Sequence, residues 1–230
     1  MSGDIPEDGA LQVIGLAKTV GGRRLWHQVS FTLKPGEIMA LRGDSGSGKS
    51  TLLNVIGLLA DADEGSIIHN GRPLSRRGIG ARKTRVNTIG FLFQDYALVE
   101  DATVTENLDI AGRPRLFSRA RDYSEILDRF GLEGRGASSV YLLSGGEQQR
   151  LALARLHVRP TPIILADEPT AALDTRNTRI VLESLTELAA AGRTVIIATH
   201  SDSVAAIAGK TLWLGDDGHE LVERKHALPS

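Results

Sequence analysis

Between Gly43 and Thr51 the chain reads GDSGSGKST, directly after the apolar run Ile38 to Leu41 and before LLNVIGLL. Gly43, Gly46 and Gly48 let backbone amides close around phosphate oxygens, and Asp44, Ser45 and Ser47 complete the loop. Lys49 supplies a point charge to the β and γ phosphates and Ser50 a hydroxyl ligand for magnesium. Thr51 continues into a helix beginning near Lys49, whose positive dipole end faces the same anion. A glycine-rich turn that binds nothing is the bland alternative; placement between an apolar strand and an apolar helix favours phosphate.

A bound nucleoside triphosphate also needs magnesium held, a water oriented and charge on the γ phosphate offset. Asp167, closing the apolar run Ile163 to Leu165, is the expected acidic partner of the magnesium site, acting through water. Glu168 follows and suits general-base chemistry on the attacking water, although paired acids after a strand also cap turns. Gln94, after the apolar run Ile89 to Phe93, carries an amide able to bind magnesium or that water. His200 follows Thr199 at another strand end, where it can hydrogen bond the γ phosphate; a lone histidine is more often only a satisfied polar group.

Leu143 to Gln149 reads LSGGEQQ. Ser144 precedes Gly145, Gly146, Glu147 and a helix running to Leu156, so its hydroxyl and the Gly146 amide form a second anion site. One triphosphate does not need two such sites. Either the segment is only a helix cap, or it serves nucleotide held by another copy.

These groups need rigid elements behind them. Leu11 to Leu16 and Val29 to Leu33 are expected strands joined through a turn at Gly21 and Gly22. Gly65 to His69 is a further strand, ending in the hairpin dipeptide Asn70-Gly71. Arg72 to Arg85 is a basic helix or loop facing solvent. Tyr123, Ile126, Leu127 and Phe130 recur at helical spacing with Ser118 as a cap and Gly131 as terminator, and serve packing. Asp174 caps a helix to Ala191 that buries Val181, Leu185 and Leu188 and stops at Gly192; Thr194 to Ala198 is the next strand. The expected fold is a three-layer α/β P-loop core with a mainly parallel sheet, an N-terminal antiparallel part and a helical subdomain inserted over 95–156. Ligands then gather at the carboxyl ends of the strands, where Gly43, Asp167 and His200 fall.

The 230 residues form one expected domain with a polar tail over 1–10, and the formal net charge of -1 implies no general attraction to nucleic acid. Cysteine is absent, which excludes disulfides and cysteine zinc sites. The acidic start MSGDIPEDGA is not read as a secretory signal, and no apolar stretch approaches the roughly 20 residues of a membrane span.

With GDSGSGKST, Gln94, LSGGEQQ, ILADE, AALD at Ala171 to Asp174 and His200 in this order, the chain resembles an ATP-binding cassette ATPase over residues 11–223. The resemblance implies a head-to-tail dimer with a second copy, in which Ser144, Gly145 and Gly146 close over ATP on the partner's P-loop. Asp174 lies in the segment crossing that interface. It also implies a transmembrane permease partner and a cytoplasmic location on the inner face of the membrane. FLFQDYALVEDATVTENL resembles the subunits of macrolide, peptide and bacteriocin exporters and lipoprotein-release machines, whose Asp95 to Asp101 equivalent faces a permease coupling helix. The alternative within the resemblance is a soluble ATPase of a non-transport system such as iron-sulfur cluster assembly.

Three positions depart from the family pattern. Val20 stands where an aromatic ring usually stacks on adenine, leaving an apolar contact without a ring face. Trp26 is close by, in a register that fits packing of the second strand. Ala171 replaces a common serine and Val140 a common proline, and neither change removes a catalytic group.

Overall fold

The computed structural model describes residues 9–74, 77–112, 121–171, 173–215 and 218–223. The Ser118 cap expected above and Ala172 lie outside them.

Two sheets form. Strands β1 (Leu11–Val20), β2 (Arg23–Leu33), β4 (Glu64–His69) and β5 (Arg72–Pro73) make an antiparallel sheet of order β2-β1-β4-β5. The Gly21-Gly22 and Asn70-Gly71 turns have positive φ, as two-residue hairpins require. The first hairpin is longer than the apolar pattern indicated. Its tip is polar, and Lys18, Thr19 and Arg24 pair across the strands where no buried face marks them.

The second sheet has six strands in the order β10-β9-β3-β8-β7-β6. Here β3 (Ile38–Gly43), β6 (Ile89–Leu92), β7 (Ile163–Asp167), β8 (Thr194–Ala198) and β9 (Lys210–Gly215) run parallel, and β10 (Gly218–Glu223) pairs antiparallel at the edge.

The continuous apolar runs of the central strands reflect burial on both faces. Met39, Leu41, Ile163, Leu165, Ile196 and Ala198 share one core with the antiparallel sheet and with α1 (Lys49–Ile56). Ile38, Ala40, Ile164, Ala166, Val195 and Ile197 share the other with helices α3 (Val104–Ala111) to α7 (Asp202–Ala206). These are the three expected layers, with the sheet in the middle. α2 (Ile79–Thr88) fills the helical half of the basic segment.

The helical insertion comprises α3, α4 (Ser124–Arg129) and most of α5 (Gly145–Val158). It shares its core with the sheet: Tyr123, Leu127 and Phe130 are buried with Leu151, Leu153 and Leu156, and Ile126 packs against them. Gly131 ends α4 at positive φ. α6 (Thr175–Ala190) buries Val181, Leu185 and Leu188 against the same core, and Gly192 follows it at positive φ.

Candidate functional site

The P-loop spans the end of β3 and the start of α1. Leu52, Leu53, Val55 and Ile56 of α1 are at most 1% exposed, and each fully buried aliphatic side chain contributes about 1.5–3 kcal/mol. The helix start, with its free amides, is therefore held in place beneath the cleft. Gly43 has φ of 143°, and a Cβ there would stand 2.1 Å from the Leu214 carbonyl oxygen, so only glycine fits. Gly48 has φ of 91°, and a Cβ would meet Trp26 Nε1 at 2.8 Å. Trp26 is only 3% exposed and donates from Nε1 to Gly48 O at 3.4 Å. It supports the loop from below and is not positioned as a stacking surface.

Lys49 is buried, and its Nζ donates to Gly43 O at 2.8 Å and Asp44 O at 3.0 Å. Ser47 N donates to Asp44 O at 3.1 Å, while the buried Ser47 Oγ makes no hydrogen bond among the described residues. The ammonium thus lies inside the ring of loop carbonyls, ready to exchange them for phosphate oxygens.

Ser50 Oγ donates to Asp167 Oδ1 at 3.0 Å, joining α1 to the end of β7. A hydroxyl and a carboxylate at this distance form a pair of hard oxygen donors of the kind that magnesium or calcium takes. Among the described residues no group of three or more His, Cys, Asp or Glu side chains is arranged to hold a metal. Ser50 and Asp167 fit a cation that keeps most of its ligands as water and phosphate oxygen.

Glu168 has φ of 43°, a conformation that costs a non-glycine residue on the order of 1–3 kcal/mol. Two backbone bonds hold it there, Glu168 N to Ala198 O at 2.9 Å and Ala171 N to Glu168 O at 3.0 Å. His200 N donates to Glu168 Oε2 at 3.4 Å. His200 Nε2 lies 3.3 Å from Glu168 Oε1, within ion-pair reach but without hydrogen-bond alignment, so that buried oxygen accepts no hydrogen bond among the described residues. A carboxylate oxygen with spare acceptor capacity at a cleft is what a base for water requires.

Val20, Leu25, Ser45, Gly46, Gly48, Lys49, Ser50, Thr51, Glu168 and His200 line one cleft of ≈ 400 Å³. Val20 is 51% exposed and forms its apolar wall together with Leu25. Sequence reasoning missed Leu25. In a strand that alternates faces, the adjacent apolar pair Leu25-Trp26 places one member away from the core, and that was the available signal.

Gln94 is exposed after the edge strand β6 and is not among the residues lining the cleft. Ser144, Gly145, Gly146 and Glu147 also lie outside that lining. Ser144 caps α5: its Oγ accepts from Glu147 N at 3.3 Å, and Glu147 Oε2 accepts from Ser144 N at 2.9 Å and from Ser144 Oγ at 2.7 Å. These bonds hold the Glu147 carboxyl below its usual range. The expected free anion site is thus a closed capping box within a single chain.

Asp174 caps α6 through Asn177 N at 2.7 Å and likewise does not reach the cleft. Buried Gln149 of α5 donates to Pro169 O at 3.0 Å, and Arg150 Nη1 donates to Asn177 Oδ1 at 3.4 Å. Gln149 therefore ties LSGGEQQ to the residue after Glu168, and Arg150, directly after the motif, reaches the Asp174 cap through Asn177.

Comparison with known proteins gives the family of the chain. A family model described as ABC transporter matches residues 26–171. The macrolide export ATP-binding/permease protein MacB 1/2 of Paracoccus denitrificans is 40% identical over 215 residues, covering 91% of this chain and 32% of the relative. The L-cystine transport system ATP-binding protein TcyN of Escherichia coli is 37% identical, with 94% of this chain and 89% of that protein covered. Among solved structures, a dimeric post-hydrolysis ATP-binding cassette bound to ADP and Pi superposes with a TM-score of 0.82 at 32% identity, covering 94% of this chain and 99% of that one. The chain spans about a third of the length of the macrolide-export relatives it matches. No helix among the described residues is long and apolar enough to cross a membrane. Fold, cleft and relatives together place this chain in the ABC transporter family, as an ATP-binding cassette.

Proposed function

We propose that the chain hydrolyses ATP within a head-to-tail dimer of itself and thereby drives a membrane permease that exports a peptide, drug or lipoprotein. The observation carrying this reading is the division of the motifs. Lys49, Ser50, Glu168 and His200 line one cleft, with Asp167 bonded to Ser50 beside it, while Ser144 to Glu147 and Asp174 are not among its lining residues. A second copy supplies the missing wall, and two-fold symmetry makes the contact isologous, so every motif is used twice. The dimeric cassette with ADP and Pi supports that arrangement.

In this mechanism Gly43 to Thr51 holds the phosphates, with Lys49 leaving its loop carbonyls for the β and γ oxygens. Ser50 and Asp167 would hold magnesium, which would offset phosphate charge. Glu168 takes a proton from the attacking water, and His200 donates to the γ phosphate and orients that water. The apolar Val20-Leu25 wall receives the base. Gln94 links cleft occupancy to the helical insertion, which moves as a subdomain over 95–156.

The export reading rests on the macrolide-export relatives. The Escherichia coli relative, named as an ATP-binding protein alone, supports a permease on a separate chain. A groove beside Asp95 to Asp101, lined by Leu59, Val86, Phe91, Phe93, Tyr96 and Arg155, suits an amphipathic permease segment, and the chain then sits on the cytoplasmic face of the inner membrane. The test is affinity purification from solubilised membranes with the Glu168→Gln form in ATP. A co-purifying permease with a large external domain supports the proposal, and a soluble scaffold protein contradicts it.

A further inference from the structure

Ile38 to Leu41 are wholly apolar and buried, yet β3 continues with Arg42, one position before Gly43. The Arg42 side chain is only 21% exposed, and its guanidinium makes three contacts among the described residues. Nη2 donates to His200 O at 3.4 Å and pairs with Asp202 Oδ1 at 2.8 Å. Cζ lies 4.8 Å from the ring centroid of Trp213, the residue opposite Arg42 on β9.

The two polar partners are His200 itself and the residue two beyond it, and the guanidinium lies over the Trp213 ring. An exposed arginine-aspartate pair alone contributes little, and Asp202 is 90% exposed. The arrangement matters because one planar fork with several fixed donors reaches a backbone carbonyl and a carboxylate together while its face rests on an indole.

The His200 turn is otherwise held by local hydrogen bonds, among them Ala205 N to Ser201 O at 3.1 Å and the Ser201 Oγ to Ser203 Oγ contact at 2.8 Å. Thr199 N donates to Leu41 O at 3.1 Å, Ser201 N to Thr199 Oγ1 at 2.9 Å, and His200 N to Glu168 Oε2 at 3.4 Å. The His200 side chain is 56% exposed, and among the described residues its ion-pair contact is with Glu168. Its backbone placement therefore determines where the ring points.

We propose that Arg42 is a positioning residue for His200, tying the histidine turn to the strand that carries the phosphate loop. This rests on the role given to His200 above. Loop and turn then move as one unit, so the distance from a phosphate on Lys49 to the His200 ring is set by β3. Displacing a reacting group by about 1 Å is enough to cost up to a hundredfold in rate.

The test uses Arg42→Met, which keeps the apolar stem and removes the fork. The expected result is a fall in kcat of about tenfold with KM for ATP changed by less than about twofold. Side-chain NMR of the six histidines supplies a readout independent of turnover: the His200 resonances move, and the other five do not. Arg42→Lys, a milder change at the same position, gives a smaller loss of the same kind and serves if the methionine variant does not fold. Unchanged kcat, or unmoved His200 resonances, overturns the inference. If His200→Ala also turns over at the wild-type rate, the role of His200 fails and the inference with it. If His200→Ala is slow while Arg42→Met is fully active, only the inference fails.

Discussion

Ser50 Oγ and Asp167 Oδ1, 117 positions apart in the sequence, meet at 3.0 Å. The contact spans the width of β8, which lies between β3 and β7 in the sheet. Parallel order brings the carboxyl ends of three strands to one edge, so a phosphate loop, two carboxylates and a histidine converge there without any long loop.

Ser144 is a helix cap in the single chain and, in the proposed dimer, a wall of the partner's ATP site. Ser144→Arg should cost about 1 kcal/mol of stability through the lost cap. It should leave binding of a fluorescent ATP analogue intact while reducing phosphate release to background. Mixing Ser144→Arg with Glu168→Gln rebuilds one complete site per mixed dimer and should restore up to about a quarter of wild-type turnover. If the mixture stays inactive, Ser144 is only a cap.

Val20 and Leu25 give the cleft an aliphatic wall. Val20→Tyr should tighten ATP binding roughly two- to tenfold, the equivalent of about 0.5–1.5 kcal/mol from a ring face. Isothermal titration checks it, and unchanged affinity would place the base elsewhere.

His157 of α5 bonds Ser184 of α6 at 2.9 Å and packs on Phe130. Burial first, then the nearby Arg129 and Arg193 charges, pushes its imidazole down to about 4. Below the ordinary value of 6.5 the unfolded chain takes up a proton that the native state refuses, so stability falls as pH drops from 6.5 toward 4. His69 and His219 are lowered by burial and act in the same direction. Urea unfolding across this range should show the loss, and His157→Gln should flatten its slope.

The phosphate loop, the central strands and the caps at Ser144 and Asp174 were legible in the sequence because each has a local cause. Glycines at fixed spacing, runs buried on both faces and side-chain caps all act within a few residues. α3 falls in the stretch expected to be helical, but its bounds were not read although Thr103 and Glu106 form a capping box at its start, a signal present in TVTE. β9 and β10 were missed for a different reason. β10 is mostly exposed and gains its order from pairing with β9, which local propensity does not reveal. The site followed the same division. Lys49, Glu168 and His200 were named from the sequence and line the cleft, with Asp167 bonded to Ser50 beside it, but Leu25 and Arg42 meet neighbours fixed only by the folded sheet. Ser144 shows the limit from the other side, since its motif is plain while its partner in the proposed site lies on another chain.

The central claim is that the cleft is half of a site, closed by a second copy around ATP. Light scattering of Glu168→Gln with and without ATP tests it most directly. The expected result is a monomer without nucleotide, a stable dimer with ATP and no measurable phosphate release. A variant that stays monomeric in saturating ATP, or that hydrolyses ATP at the wild-type rate, would contradict it.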